Sequence, residues 1–168
     1  MPGDQHRSPF PESLPASLEN PAFKYRLVPA QFAVHGSGGA VDSADATLHF
    51  PTENIAVHPA ANRARVKVER TQSVGPVYES SPGGSLAVPT GAILVRFAKP
   101  AKLHDKAAQL KAAGYCIEQV LSYAPNAGWV KAQDGTLATS LECIPKLAAI
   151  PGVEEVAPQM LSRAARKR

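Results

Sequence analysis

The sequence predicts an α+β fold for residues 91–161, from the order of its apolar segments, their periods and the turn residues between them. The segments alternate between strand and helix periods in the order strand, helix, strand, strand, helix, strand. That order is typical of a ferredoxin-like β-α-β-β-α-β sandwich, in which two helices cover one face of an antiparallel sheet. We therefore predict this fold, preceded by a small β-rich N-terminal segment.

Each element of this region has its own signal. The first strand is GAILVRF and the first helix is LHDKAAQLKAAG, where Gly114 is placed for a left-handed helix end. YCIEQVLSY and GWVKAQ form a predicted hairpin with its turn at 125–128. The second helix, TLATSLECIPKLAAI, contains Pro145, which predicts either a kink or a late start of the regular helix. GVEEVAPQML is the closing strand.

Composition divides the rest of the chain. Residues 1–23 are rich in proline and polar residues and are predicted to be disordered. Residues 24–79 are predicted to form a small β-rich region, in which RARVKVERT alternates like a half-exposed strand. Residues 80–90 have the composition of a linker, residues 91–161 are the predicted domain, and residues 162–168 are a basic tail.

Charge and hydropathy limit the classes of partner. Four basic residues in the tail, Arg163, Arg166, Lys167 and Arg168, account for the formal net charge of +4. Nucleic-acid-binding domains instead spread basic residues over a folded face, so we expect no nucleic-acid partner. The chain has no visible secretory signal and no apolar run near the roughly 18 residues of a membrane span. We expect a cytoplasmic protein without a membrane partner.

The ionisable residues do not match a catalytic or metal site. His49 and His58 could meet across a hairpin, but exposed histidines on strands are more frequent than ligand pairs. Glu154 and Glu155 are neighbours on a strand and point to opposite faces, which suits solvated or partner-facing carboxylates rather than an acid–base pair. We expect no metal, no cofactor and no enzymatic activity.

The two cysteines fit no metal-ligand spacing. Cys116 and Cys143 are expected to be reduced, half-buried thiols, and would be able to pair if the protein were exported.

The sheet face that the helices leave uncovered is the first candidate binding surface. Leu94 and Arg96 lie on it by alternation with the core-facing positions of the first strand. The third strand contributes one of its two alternating sets, either Trp129 and Lys131 or positions 130 and 132. We select Leu94, Arg96, Trp129 and Lys131 as partner-binding residues, with a core position as the alternative for the tryptophan.

The order of ILVRF, LKAAGY, VLSYAPNAGWVKA and LATSLECIPKLAAIPGVEEVAPQ resembles the subtilisin propeptide, or inhibitor I9, family over residues 91–161. The closest part is IPGVEEVAP, residues 150–158. The resemblance implies a ferredoxin-like domain that packs its open sheet face on a subtilisin-like serine protease. It implies two roles, inhibition of the protease and assistance in its folding as an intramolecular chaperone.

The resemblance also implies a second set of site residues. The segment after the last strand would lie in the protease cleft as an added strand; it consists of Pro158, Gln159, Met160, Leu161, Ser162 and Arg163. Met160 and Leu161 would fill successive subsites. The catalytic signatures of the protease itself are absent from the sequence, so we expect a free-standing inhibitor or a propeptide separated from its enzyme. The alternative is a ferredoxin-like interaction or regulatory module unrelated to proteases.

Overall fold

The structure is a computed structural model, and it describes residues 8–163. The strands are β1 (Ser13–Pro15), β2 (Lys24–His35), β3 (Leu48–Phe50), β4 (Ile55–Pro59), β5 (Ser73–Ser81), β6 (Leu86–Phe97), β7 (Tyr115–Leu121), β8 (Ala124–Ala132) and β9 (Val153–Ser162). The helices are α1 (Ala107–Ala112), α2 (Leu137–Glu142) and α3 (Ile144–Ala148), and 3₁₀ turns cover Ala60–Asn62 and Leu103–Lys106. Within this range, no helix is both long enough and apolar enough to cross a membrane.

The predicted fold class is wrong. Among the described residues, 45% lie in strands and 15% in helices, and the nine-stranded antiparallel sheet is not a two-helix ferredoxin-like sandwich. Hydrogen bonds connect the strands in the order β3-β4-β2-β5-β6-β8-β7, with β9 beside β6. The prediction failed because it started the first strand at Gly91. Strand β6 begins at Leu86 and pairs with β5 through Leu86 and Ala87, so strand pairing continues through the predicted linker.

The chain divides into two compact units. Among the described residues, unit 1 consists of residues 8–21 and 91–158, and unit 2 of residues 22–90 and 159–163. Strand β1 lies in the segment predicted to be disordered, and the predicted linker contains the end of β5, a turn and the start of β6. Residues 1–7 and 164–168, which include most of the predicted basic tail, lie outside the described residues.

The helices of unit 1 are shorter than predicted and interrupted. Leu103–Lys106 is a 3₁₀ turn that leads into α1, and Gly114 follows with a φ of +95°, in the left-handed region that the sequence predicts. The second helical segment breaks at Cys143, which ends α2 and precedes α3. Pro145 then lies in the first turn of α3, where its missing N–H removes no intrahelical bond.

The turn between β7 and β8 is at Ser122–Tyr123 and not at the predicted residues 125–128. Those four residues belong to β8 instead. One of them, Asn126, is buried, and its Nδ2 donates a hydrogen bond of 2.7 Å to the carbonyl oxygen of Phe97. Its side chain therefore satisfies a backbone group inside the protein, although asparagine at this position in the sequence indicated a turn.

Gly128 is needed in β8 for close packing rather than for a turn. A Cβ atom at this position would lie 2.3 Å from the carbonyl oxygen of Gln119 and 2.6 Å from Cδ2 of Leu103. Both distances are far below van der Waals contact, and the first neighbour is rigid backbone. Only glycine lets β7 and the 3₁₀ turn approach β8 this closely.

The helices and the 3₁₀ turn Leu103–Lys106 of unit 1 cover the strand face opposite Leu94. The hydroxyl of Tyr115 donates a hydrogen bond to the carbonyl oxygen of Ser140, whose own hydroxyl donates to the carbonyl oxygen of Gly91 at 2.5 Å. These bonds connect α2 to β7 and β6. The fully buried side chains of this core include Ile93, Val95, Phe97, Leu103, Leu110, Val130 and Leu147.

Strand β2 is central to unit 2 and pairs antiparallel with both β4 and β5. Neighbouring residues Ala33 and Val34 are buried in two different clusters, because successive side chains of a strand point to opposite faces. The first cluster contains Ala33, Ile55, Val57, Val77 and Val88, and the second contains Phe32, Val34, Val41 and Ala56. Unit 2 therefore has apolar packing on both faces of β2.

The predicted strand RARVKVERT is wrong, since residues 63–72 form turns and irregular structure. Its alternation nevertheless has a structural cause. Val66 and Val68 pack against the second cluster, while Arg65, Lys67 and Glu69 are exposed. A segment of turns and irregular structure, anchored by two valines, thus produces the same sequence pattern as a strand.

Substitution of Gly128 by alanine is expected to destabilise the protein by about 1–3 kcal/mol, because the added methyl group meets the backbone of β7 and a buried leucine. Gly39→Ala is the matched control, since a Cβ there has no neighbour within 4 Å. Urea unfolding followed by tryptophan fluorescence measures both. A loss below about 0.5 kcal/mol for Gly128→Ala would contradict the packing described here.

His35 is expected to make unit 2 sensitive to acid. Its Nε2 atom is buried without a partner among the described residues, and burial lowers the pKa of the ring from 6.5 to about 4. The unfolded chain therefore binds the proton more readily, so stability is complete above pH 6.5 and falls by about 3 kcal/mol as the pH drops to 4. Urea unfolding at several pH values should show that His35→Leu loses this share of the pH dependence, whereas the exposed His49→Leu keeps it. Identical pH profiles for His35→Leu and the wild type would contradict the assignment.

Candidate functional site

Strands β6 and β8 bring the four predicted sheet-face residues of unit 1 together. The register pairs Leu94 with Trp129, and Arg96 with Ala127. On the next strand, β7, Cys116 is opposite Lys131. Directly opposed residues of an antiparallel pair point to the same side of a sheet, so these side chains share one face.

Burial separates this face from the core side. Ile93, Val95 and Val130 have no exposed surface, whereas Leu94 and Trp129 on the other side are half-buried. Of the two alternating sets that the sequence left open for the third strand, the structure thus places Trp129 and Lys131 on the face without helices. The face has an apolar centre of two large side chains.

Charged groups surround this apolar centre, and each cation has an acidic neighbour. Arg96 forms an ion pair through Nη2 with Glu19, and its Nε atom lies 3.7 Å from Oε2 of Glu154. The hydrogen bond with Glu19 raises the pKa of the arginine above its usual value. Nζ of Lys131 lies 2.9 Å from Oε1 of Glu118. These pairs are solvent-exposed and each contributes only about 0–1 kcal/mol to stability, so a partner can rearrange them at little cost.

Most of the predicted cleft segment, Pro158 to Ser162, belongs to strand β9, and Arg163 follows the end of that strand. Pro158 is buried within unit 1, whereas Gln159 to Arg163 belong to unit 2. Gln159 Oε1 accepts a hydrogen bond of 2.7 Å from the hydroxyl of Thr90, and Leu161 packs against the cluster around Ala33. The remaining members are the half-buried Met160 and the exposed Ser162 and Arg163. The structure therefore gives Gln159 a hydrogen-bonding role and Leu161 a packing role in unit 2.

Glu155 contradicts the expectation of a solvated or partner-facing carboxylate. It is only 6% exposed, and Oε1 accepts hydrogen bonds from the backbone N–H groups of Leu18 at 2.8 Å and Val156 at 2.9 Å. Its other oxygen accepts a hydrogen bond from the hydroxyl of Ser17. A buried carboxylate needs such partners, so Glu155 holds the N-terminal segment of unit 1 in place. Glu154 lies on the opposite side of β9, as the alternation predicted, and contacts Arg96.

The N-terminal segment is the part of the site that the sequence analysis missed. It provides Glu19 beside Arg96 and the groups that bind Glu155. The sequence signal that could have indicated an ordered segment was a pair of leucines, Leu14 and Leu18, within a largely polar and proline-rich stretch. Leu14 is only 2% exposed, so this segment is packed against the rest of unit 1 and is not disordered as predicted.

The described histidines, cysteines and carboxylates form no group of three that could hold a metal ion. His58 is buried against Phe32, with ring centroids 5.7 Å apart, and one ring nitrogen is 2.7 Å from the carbonyl oxygen of Asp42, whereas His49 is exposed. Both cysteines are free thiols; Cys116 is exposed on β7 and Cys143 is half-buried.

Comparison with known proteins finds no relative of this chain. No protein-family model matches the chain, and no curated protein or solved structure does.

Leu161→Ala is expected to lower the free energy of unfolding by about 1–2 kcal/mol, because the half-buried leucine contacts the first cluster of unit 2. Ser162→Ala, at the exposed last position of β9, is the control and should change it by less than about 0.5 kcal/mol. Urea unfolding provides both values. Equal stability of the two variants would mean that the end of β9 is a free tail and not part of the core.

Proposed function

We propose that unit 1 is a non-catalytic protein-binding module that docks its sheet face on a subtilisin-like serine protease, as an inhibitor or as a folding chaperone. The observation that supports this most directly is the cross-strand pair of Leu94 and Trp129, half-buried on the face without helices. Large apolar side chains at the centre of a patch, with polar groups at its rim, are typical of protein–protein interfaces. Arg96 and Lys131, with their acidic neighbours, supply such a rim.

The class of partner comes from the resemblance of residues 91–161 to subtilisin propeptides. The ferredoxin-like fold that this resemblance implied is not the fold of the chain, so the proposal depends on the surface and on the order of sequence motifs. It also assigns the contact to the sheet face rather than to the cleft segment. Gln159 and Leu161 would have to leave β9, with loss of the Thr90 hydrogen bond and of core packing, before they could enter a protease cleft.

Inhibition constants against a panel of subtilisin-like proteases test the proposal. Trp129→Ser removes the apolar centre of the face, and we expect the inhibition constant to rise at least about tenfold. Tyr123→Ser is the matched control, because Tyr123 is 83% exposed at the β7–β8 turn, and it should inhibit like the wild type. Lys131→Gln keeps the size of an exposed side chain and should give a smaller loss in the same direction.

Three results would contradict the proposal in different ways. If the wild type neither inhibits nor helps to fold any protease of the panel, a protease partner is excluded. Unit 1 would then be an interaction module with another protein partner. Equal inhibition by the wild type, Trp129→Ser and Lys131→Gln would show that the sheet face is not the surface that contacts the protease. Urea unfolding of Trp129→Ser, followed by circular dichroism because the variant lacks the only tryptophan, verifies that it is folded. If it is not folded, Lys131→Gln decides the question. A cytoplasmic location stays a prediction of the sequence, which cell fractionation checks.

A further inference from the structure

A cavity of about 560 Å³ opens within unit 1, between the N-terminal segment and helices α2 and α3. The N-terminal side is formed by residues of Pro9–Leu18, and the helical side includes Leu141, Ile144 and Ala148. Most of these side chains are aliphatic or are proline rings, with Phe10 as the aromatic member. The volume is in the range of about 300–1,000 Å³ that is typical of sites for small molecules.

The N-terminal wall of this cavity is fixed by contacts that do not involve a ligand. Leu14 is 2% exposed, and beyond it Ser17 and the N–H group of Leu18 bind the buried carboxylate of Glu155. Glu19 then pairs with Arg96. The wall is thus anchored at its C-terminal end by contacts of the protein itself, which favours a preformed cavity.

The charge of the side chains that line the cavity determines which class of ligand the cavity favours. Glu142 on α2 is the ionisable side chain among the described residues that line the cavity, and it is exposed. No lysine, arginine or histidine is among these lining residues. A fatty acid or another anionic amphiphile would therefore place its charge near a carboxylate without a compensating cation. An apolar molecule with an ammonium group would bury its body against the prolines and leucines and place its charge at Glu142.

We propose that the cavity binds a small apolar ligand that carries a cationic end group, such as an alkyl or aryl amine. This site uses other residues than the sheet face, so it stands independently of the protease proposal. Most of the affinity comes from apolar burial, and the exposed carboxylate adds a preference of about fivefold for the cation over an uncharged ligand of the same length. That preference decreases at high salt, because an exposed ion pair is screened.

Isothermal titration calorimetry with decylammonium, decanol and decanoate, each below its micellar concentration, tests the proposal. We expect decylammonium to bind about fivefold more tightly than decanol, and decanoate to bind more weakly than either. Glu142→Gln should bring decylammonium and decanol to the same affinity. In 0.5 M salt, the wild type should show the same convergence.

Two tryptophan variants locate the binding. Ala148→Trp fills the cavity and should abolish binding of all three probes, whereas Ala112→Trp, on the exposed part of α1, should leave it unchanged. If Ala148→Trp does not fold, Ser13→Trp on the opposite wall replaces it. The proposal is overturned if no probe binds, if decanoate binds as tightly as decylammonium, or if the filled variants bind like the wild type.

Discussion

The absence of a side chain at Gly128 lets β7 and the 3₁₀ turn at Leu103–Lys106 lie close against β8. Backbone of β7 lies on one side of this residue and Leu103, at the start of the first helical region, lies on the other. The 3₁₀ turn can therefore rest directly on the middle of β8, and its leucine is fully buried. With the helical layer held against that side, Leu94 and Trp129 are left on the opposite side without a helix over them. The candidate binding face is thus a consequence of how closely the other face is packed.

The buried carboxylate of Glu155 has a comparable role for the N-terminal segment. Burial of an ionised group is costly unless it is hydrogen-bonded, and three donors satisfy it here. Two of these donors belong to Ser17 and Leu18, so the position of this proline-rich segment depends on a single side chain far away in sequence. The wall of the apolar cavity and the acidic neighbour of Arg96 both depend on that attachment.

The sequence predicted local features well and their assembly poorly. The alternation in β6, the left-handed Gly114 and the helix break near Pro145 follow from periods and backbone sterics, which are local properties. The turn assigned to residues 125–128 was wrong because Asn126 and Gly128 have tertiary roles that composition cannot distinguish from turn signals. The fold class was wrong because the linker-like composition of residues 80–90 concealed a tight hairpin, in which Leu86 and Ala87 of β6 pair with Glu79 and Tyr78 of β5. For the candidate site, alternation found the face residues, but the contribution of residues 8–21 was hidden in a composition typical of disorder.

The location of Cys116 gives the sheet face a built-in chemical reporter. Its thiol is exposed on β7, opposite Lys131, and therefore lies on the same side of the sheet as Trp129. Cys143, half-buried between α2 and α3, is a slower internal reference in the same molecule. The ratio of the alkylation rates of the two thiols thus measures the accessibility of this face without any engineered label. A macromolecule seated on Trp129 would shield the first thiol and leave the second unchanged.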